Sequence, residues 1–186
     1  MSGLLTGYLH RRRSAAIQRY LNGDVLDIGC GPAIVAQWLD STQRYVGVEM
    51  QPEWMTYLRW KFPQHTFIQR DVDREPLSLG DSQFDTVLMV AVIEHLSAPE
   101  RVIAEVRNHM KPGSRLVITT PTVLGGVIHR GGARLGLFAH EAVADHKWVY
   151  GGKSLSDLLQ ICRMHVVLHT YFELGANQLC ISTPRL

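Results

Sequence analysis

Residues Val25 to Gly31 read Val-Leu-Asp-Ile-Gly-Cys-Gly, and this run decides the fold. An apolar, β-branched segment carrying one aspartate drops into a Gly-x-Gly turn, with Pro32 and Ala33 directly after it. Strand, glycine turn and helix in that order let main chain approach a nucleotide-like ligand closely. Gly29 and Gly31 are free to take positive φ and have no Cβ to hold a ligand away. Pro32 suits the first position of a helix, where its missing N–H would be unpaired anyway. The third glycine of a dinucleotide fingerprint is absent, since Gly31 is followed by Pro32-Ala33-Ile34.

Outward from this turn, apolar runs and stop signals alternate. Strands are expected at 24–28, 45–48, 65–69, 84–90 and 115–119, with helices at 10–21, 33–39, 52–62 and 99–110. Asn22-Gly23 ends the first helix and Lys111-Pro112-Gly113 the last of these. Phe84 to Val90 is almost wholly apolar, as suits a strand buried on both faces. Regular alternation predicts a parallel sheet with helices on both sides. The tail departs from it: a helix near 154–162 precedes two apolar strands, 165–172 and 178–182, joined by a turn at Glu173–Asn177. The expected fold is therefore α/β, a Rossmann-like doubly wound sheet, mostly parallel, ending in an antiparallel hairpin. It is read as one domain over 1–186, opened by a helical segment at 1–23.

Composition narrows the class. A hydrophobic fraction of 46% and a charged fraction of 19% over 186 residues fit one globular domain with a sizeable core. No apolar run reaches the roughly 18–20 residues of a membrane span, and the first residues carry no signal-type apolar core. Cys30, Cys162 and Cys180 are sparse and lack metal spacing, which fits a reducing cytoplasm. A net charge of +2 is too mild to argue for nucleic acid. The local exception, His10-Arg11-Arg12-Arg13, is either a solvated helix end or a source of one arginine for an anionic group such as a cofactor carboxylate.

Glu49 follows Gly29 by twenty positions and ends the second strand, where an acidic side chain can accept from vicinal ribose hydroxyls. Asp71 ends the third strand and reads either as a ligand contact or as a turn cap. Together, Asp27-x-Gly29-x-Gly31, Glu49, Asp71, Phe84-Asp85-Thr86-Val87 and Ile93-Glu94-His95-Leu96 resemble the class I S-adenosylmethionine-dependent methyltransferases (the seven-stranded methyltransferase fold). The last of these motifs is similar to the small-molecule subgroup related to ubiquinone biosynthesis enzymes. The resemblance covers Asp24 to Thr120 and the terminal hairpin; it departs at Pro32-Ala33, where many members carry a further glycine.

That resemblance implies S-adenosylmethionine as cofactor and S-adenosylhomocysteine as product. It places Asp27, Gly29, Cys30 and Gly31 at the cofactor's methionine end and Glu49 on the ribose. Met50 would pack on the adenine, Asp71 accept from its amino group, and the Val72 N–H meet a ring nitrogen. Ala91, at the exit of the fourth strand, would face the amino-acid portion, while Asp85 is structural.

The implied reaction is methyl transfer to a small-molecule acceptor, with oxygen preferred because of the histidines. No tight motif marks a catalytic base; His95 and His146 are the candidates, and His95 equally suits capping the helix after it. The family uses the segment 121–153 for its acceptor pocket, which brings forward His140, His146 and Tyr150, the last also suited to the core. Gly125 to Leu137 reads as a loop that orders over the pocket. No metal requirement is expected. The competing readings are a methyltransferase-fold binding module without catalysis and a nicotinamide-dependent oxidoreductase.

Overall fold

The computed structural model describes residues 6–126 and 147–185, with side chains from Arg11 onward. The chain opens with α1 (Thr6–Ile17) and a short 3-10 turn at Gln18–Tyr20. Then follow β1 (Val25–Ile28), a 3-10 segment at Ile34–Trp38, β2 (Tyr45–Glu49), α2 (Pro52–Lys61), β3 (Thr66–Gln69) and β4 (Phe84–Val90). A 3-10 turn at Ile93–His95 leads to α3 (Pro99–Asn108) and β5 (Met110–Pro121). After residue 147 come α4 (Gly152–Ile161), β6 (Met164–Phe172) and β7 (Asn177–Pro184).

The seven strands form one sheet in the order β3-β2-β1-β4-β5-β7-β6. The first five are parallel, and β7 runs antiparallel between β5 and β6. Alternating side chains divide the interior into two apolar layers. Leu26, Ile28, Val46 and Val48 join α3 and α4 residues on one face; Val25, Tyr45 and Leu88 meet α2 residues on the other. Each helix shows why it packs there. Val102, Ile103 and Val106 of α3, and Leu155, Leu158 and Leu159 of α4, recur at helical spacing and are buried. Pro52 and Pro99 begin α2 and α3, where no N–H is needed.

Two local expectations are corrected. No α-helix starts at Pro32: Ala33 adopts a left-handed φ of 48°, which breaks helical continuation, and only the 3-10 segment at Ile34–Trp38 follows. Lys111-Pro112-Gly113 lies inside β5 instead of ending a helix. Phe84 pairs with Met110 and Thr86 with Arg115, so the extra residues bulge out of β5, and Gly113 at φ 77° allows the bend.

Candidate active site

Register alone gathers the predicted site. Ile28, Val48, Ile68 and Met89 form one row across β1, β2, β3 and β4. One residue beyond that row stand Gly29, Glu49, Gln69 and Val90; the next are Cys30, Met50, Arg70 and Ala91, with Asp71 following. All lie at the carboxyl edge of the parallel strands, where open α/β sheets bind ligands.

The glycine turn is fastened to β2. Gly29 and Cys30 N–H groups both donate to the Val48 carbonyl, at 2.7 and 3.1 Å. Glu49 completes the join: Gly31 N–H donates to Oε2 at 2.9 Å and Gln51 N–H to Oε1 at 3.0 Å. Each carboxylate oxygen retains a lone pair, so Glu49 can brace the turn and still accept from a diol. The two glycines do different work. A Cβ on Gly31 (φ 50°) would meet no heavy atom within 4 Å, whereas one on Gly29 (φ 66°) would lie 2.5 Å from Val92 Cγ2. Gly31 therefore leaves the open approach to a ligand, and Gly29 makes room for Val92.

Asp27 and Cys30 point below the turn. The Tyr45 hydroxyl donates to Asp27 Oδ2 at 2.7 Å in a buried pair. Burial pushes the Asp27 carboxyl up to about 7, against the Tyr45 hydrogen bond and with help from the Glu49 charge. The Cys30 thiol packs over Gly47, where an added Cβ would come within 2.8 Å of Sγ, and burial raises its pKa, with the Asp27 and Glu49 charges adding. Only the backbone of Cys30 remains for a ligand. Met50 is exposed at the edge. Asp71 does cap a turn: its Oδ1 accepts from Asp73 N–H at 3.0 Å, and its carbonyl accepts from Arg74 and Glu75. Val72 is buried beside Ile93 and Leu96 in the core.

Ala91 holds a left-handed φ of 56° while its N–H donates to the Thr119 carbonyl at 2.9 Å. For an alanine this conformation costs about 1–2 kcal/mol, a strain that proteins concentrate at functional positions. His95 closes the 3-10 turn that follows, its N–H donating to the Val92 carbonyl. Tyr150 is buried in the core with Leu155 and Leu159, and its carbonyl accepts from Gln178 Nε2. His140, His146 and most of the expected loop at Gly125–Leu137 lie outside the described residues.

Sequence reasoning passed over three groups. Glu94, between Ile93 and Leu96, is 1% exposed, and neither carboxylate oxygen has a hydrogen-bond partner. Its signal was available as a charge set between two core side chains at a strand exit. Asp73 and Lys147 were also missed. Lys147 Nζ donates to Asp73 Oδ2 at 2.9 Å and to Ser97 Oγ at 2.6 Å. Lys147 and Trp148 N–H groups both bond the Glu94 carbonyl. Their contact partners lie 50–74 residues away in sequence, which no local pattern reveals. Among the described residues, no group of three or more His, Cys, Asp or Glu is placed to hold a metal ion, and no helix is long and apolar enough to cross a membrane.

A five-strand parallel sheet closed by an antiparallel β7, with a glycine turn and an acidic residue at adjacent strand ends, defines a class I S-adenosylmethionine-dependent methyltransferase fold. The chain belongs to the methyltransferase domain family, whose model matches residues 26–118. A phosphatidylethanolamine N-methyltransferase of Cereibacter sphaeroides is 27% identical over 112 residues, covering 58% of this chain and 55% of that protein. A ubiquinone biosynthesis O-methyltransferase of the same species is 29% identical over 99 residues, covering 52% and 40%. The chain spans between 29% and 55% of the length of the first four curated relatives it matches. In fold it is similar to magnesium protoporphyrin IX methyltransferase from Synechocystis, solved with bound S-adenosylhomocysteine, with a TM-score of 0.70 at 15% identity, covering 94% of this chain and 83% of that one.

Proposed function

We propose that this chain transfers the methyl group of S-adenosylmethionine to an oxygen atom of a small-molecule acceptor. The observation that carries the cofactor assignment is the open approach at Gly31 beside a Glu49 carboxylate that still has lone pairs to offer. The local structure fits the cofactor: the turn leaves room where a side chain would intrude, and the acids and amides suit a ribose and a purine. When bound, S-adenosylmethionine supplies a methyl group on a positively charged sulfur, with a neutral thioether as leaving group.

The protein's part is alignment. Glu49 would take the ribose hydroxyls; Asp71 and the Val72 N–H would fix the purine edge, with Met50 lying against its face. Gly29, Cys30 and Gly31 would offer backbone to the methionine end, and Ala91 would border it from β4. Asp27 holds the turn from below through Tyr45. Alignment of this kind supplies at most about 7–11 kcal/mol of barrier reduction. The relatives include both an N- and an O-methyltransferase, so the oxygen assignment rests on this chain's own acidic and imidazole groups beside the β4 exit.

The test is titration calorimetry with S-adenosylhomocysteine and NAD, followed by a metabolite screen with methyl-labelled S-adenosylmethionine. Binding of the first nucleoside alone, with label appearing on a hydroxyl oxygen, supports the proposal. Binding without any labelled product would make the chain a binding module.

A further inference from the structure

We infer that Glu94 is the group that receives the acceptor's hydroxyl proton, with the Arg13 guanidinium as its countercharge. This rests on the methyltransferase reading and assigns the base that the sequence left to His95 or His146.

Glu94 lies in the 3-10 turn that directly follows the strained Ala91 and the Val92 packed on Gly29. It is therefore one turn from the strand exit that borders the cofactor site. A fully buried carboxylate normally has its oxygens satisfied, because desolvating it is costly. Glu94 has neither oxygen bonded. The Thr120 hydroxyl is near enough to favour the ionised form but does not meet hydrogen-bond geometry, and its Oγ1 is itself unpartnered. Arg13 reaches in from α1, buried at 8% exposure, and spends its Nε on Asn177 Oδ1 at 3.2 Å. It makes no ion pair within 4 Å of Glu94, although the two charges act on each other. A gap of more than 4 Å thus separates two buried opposite charges, and both Glu94 oxygens lack a hydrogen-bond partner.

A neutral hydroxyl suits that gap better than an ammonium ion. Arg13 already balances Glu94, and a second cation would leave an excess charge in a desolvated place. Proton transfer within such a gap conserves the balance. The O–H bond breaks, its proton passes to a Glu94 oxygen, and its electron pair stays on the acceptor oxygen for the bond to the methyl carbon. The negative charge moves from Glu94 to that oxygen while Arg13 remains opposite. Burial raises the Glu94 pKa, opposed by Arg13 and then His95, which moves the carboxylate toward the range useful to a base near neutral pH. Among the described residues, the charged and titratable groups around it are Arg13 from α1, His95 on its own turn and Tyr150 before α4; Glu173, in the β6–β7 turn, acts on Arg13.

Glu94→Gln tests this with three readouts. The first is thermal melting. Glutamine removes the cost of a carboxylate kept without partners but leaves Arg13 with Glu173 as its remaining negative neighbour, so the melting temperature above pH 7 should change by less than about 5 °C. A fall of more than about 5 °C, the loss expected from deleting a structural interaction of roughly 1 kcal/mol, overturns the inference. The second is S-adenosylhomocysteine affinity, expected within about threefold of the parent. Failure of the parent itself to bind would sink the methyltransferase reading and this inference with it, whereas normal binding with an undiminished rate in the variant overturns the inference alone. The third is transfer of labelled methyl to compounds in a metabolite extract. The parent should label a hydroxyl oxygen, and the variant should do so at least about a hundredfold more slowly, with partial recovery as the pH rises. Label on nitrogen or carbon, an undiminished rate in the variant, or a parent that binds the nucleoside yet labels nothing each overturns it.

Discussion

Replacing Asp27 by asparagine should flatten the pH dependence of stability between about pH 4 and pH 7 and make the protein more stable at pH 8. Asp27 is buried under the glycine turn, and its carboxyl rises from an ordinary 3.8 to about 7. A raised carboxyl means that the folded state holds its proton more tightly than the unfolded chain does. Stability is then highest below the unfolded value and falls as pH climbs through the folded one. At about 1.4 kcal/mol per pH unit, the rise is worth roughly 4 kcal/mol against folding above pH 7. Asparagine never ionises, and its Oδ1 can keep the Tyr45 hydrogen bond. Its amide N–H groups enter a site built for acceptors, which costs about 1–3 kcal/mol if they find no partner. The expected net gain at pH 8 is therefore about 1–3 kcal/mol, turning to a small loss near pH 4. Urea unfolding of parent and variant at pH 4.5, 6, 7 and 8 measures this directly. All other titrating groups are common to both proteins, so the difference between the two curves isolates Asp27. Parallel curves across that range would refute the reasoning and mean that Asp27 stays ionised within the fold.

Glu49→Ala should weaken S-adenosylhomocysteine binding by about 5- to 150-fold, or roughly 1–3 kcal/mol, and should also lower the melting temperature, because the Gly31 and Gln51 N–H bonds are lost with it. Calorimetry and melting curves together check the pair. Gly29→Val should damage folding before binding, since its Cβ meets Val92 at 2.5 Å in a left-handed backbone; adding Val92→Ala should restore part of the lost melting temperature, and no such rescue would mean that the turn tolerates the branch by other means. Lys147→Met should make the fold more sensitive to acid. Burial tends to raise the Asp73 carboxyl, but the Lys147 and Ser97 hydrogen bonds outweigh it and hold it at about 2. A depressed carboxyl stabilises the fold above its unfolded value near pH 4, and that contribution is lost as pH falls through 2. An acid-unfolding midpoint unchanged in the variant would dissociate the latch from stability.

The parallel sheet and its antiparallel ending were legible because they depend on repeated local signals. β4 lies where its apolar run, interrupted only by Asp85 and Thr86, places it, and Pro52 and Pro99 mark two helix starts. Glu49 was legible because its spacing from the glycine turn follows from β1 and β2 being neighbours in register. Failures arose where backbone geometry overrode residue preference. Pro32 favours a helix start, but the left-handed Ala33 after it forbids one. Pro112-Gly113 favours a break, but a bulge absorbs it within β5. Glu94 could not be weighed from sequence, since its meaning depends on which groups fail to reach it.

The two edges of the sheet handle their acids in opposite ways. At the amino edge, Asp24 and Asp85 share Lys111 at 3.3 and 2.7 Å, and Asp85 also accepts from the Asp24 N–H. The Lys111 hydrogen bond leads in lowering the Asp85 carboxyl, against partial burial. Gly23 exists there to admit that carboxylate, since a Cβ would lie within 2.3 Å of it. At the carboxyl edge, Asp27 and Glu94 are deeply buried and their carboxyls are raised, chiefly by burial. Ala91 is strained in the same place. The chain thus gives Asp85 a lysine partner at the amino edge, while Asp27 and Glu94 beside the glycine turn have no ion pair among the described residues, although Asp73 nearby is paired with Lys147. Raised carboxyls beside Gly31 and Glu49 fit the proposed site, because stability given up there can be recovered when a ligand supplies the missing partners.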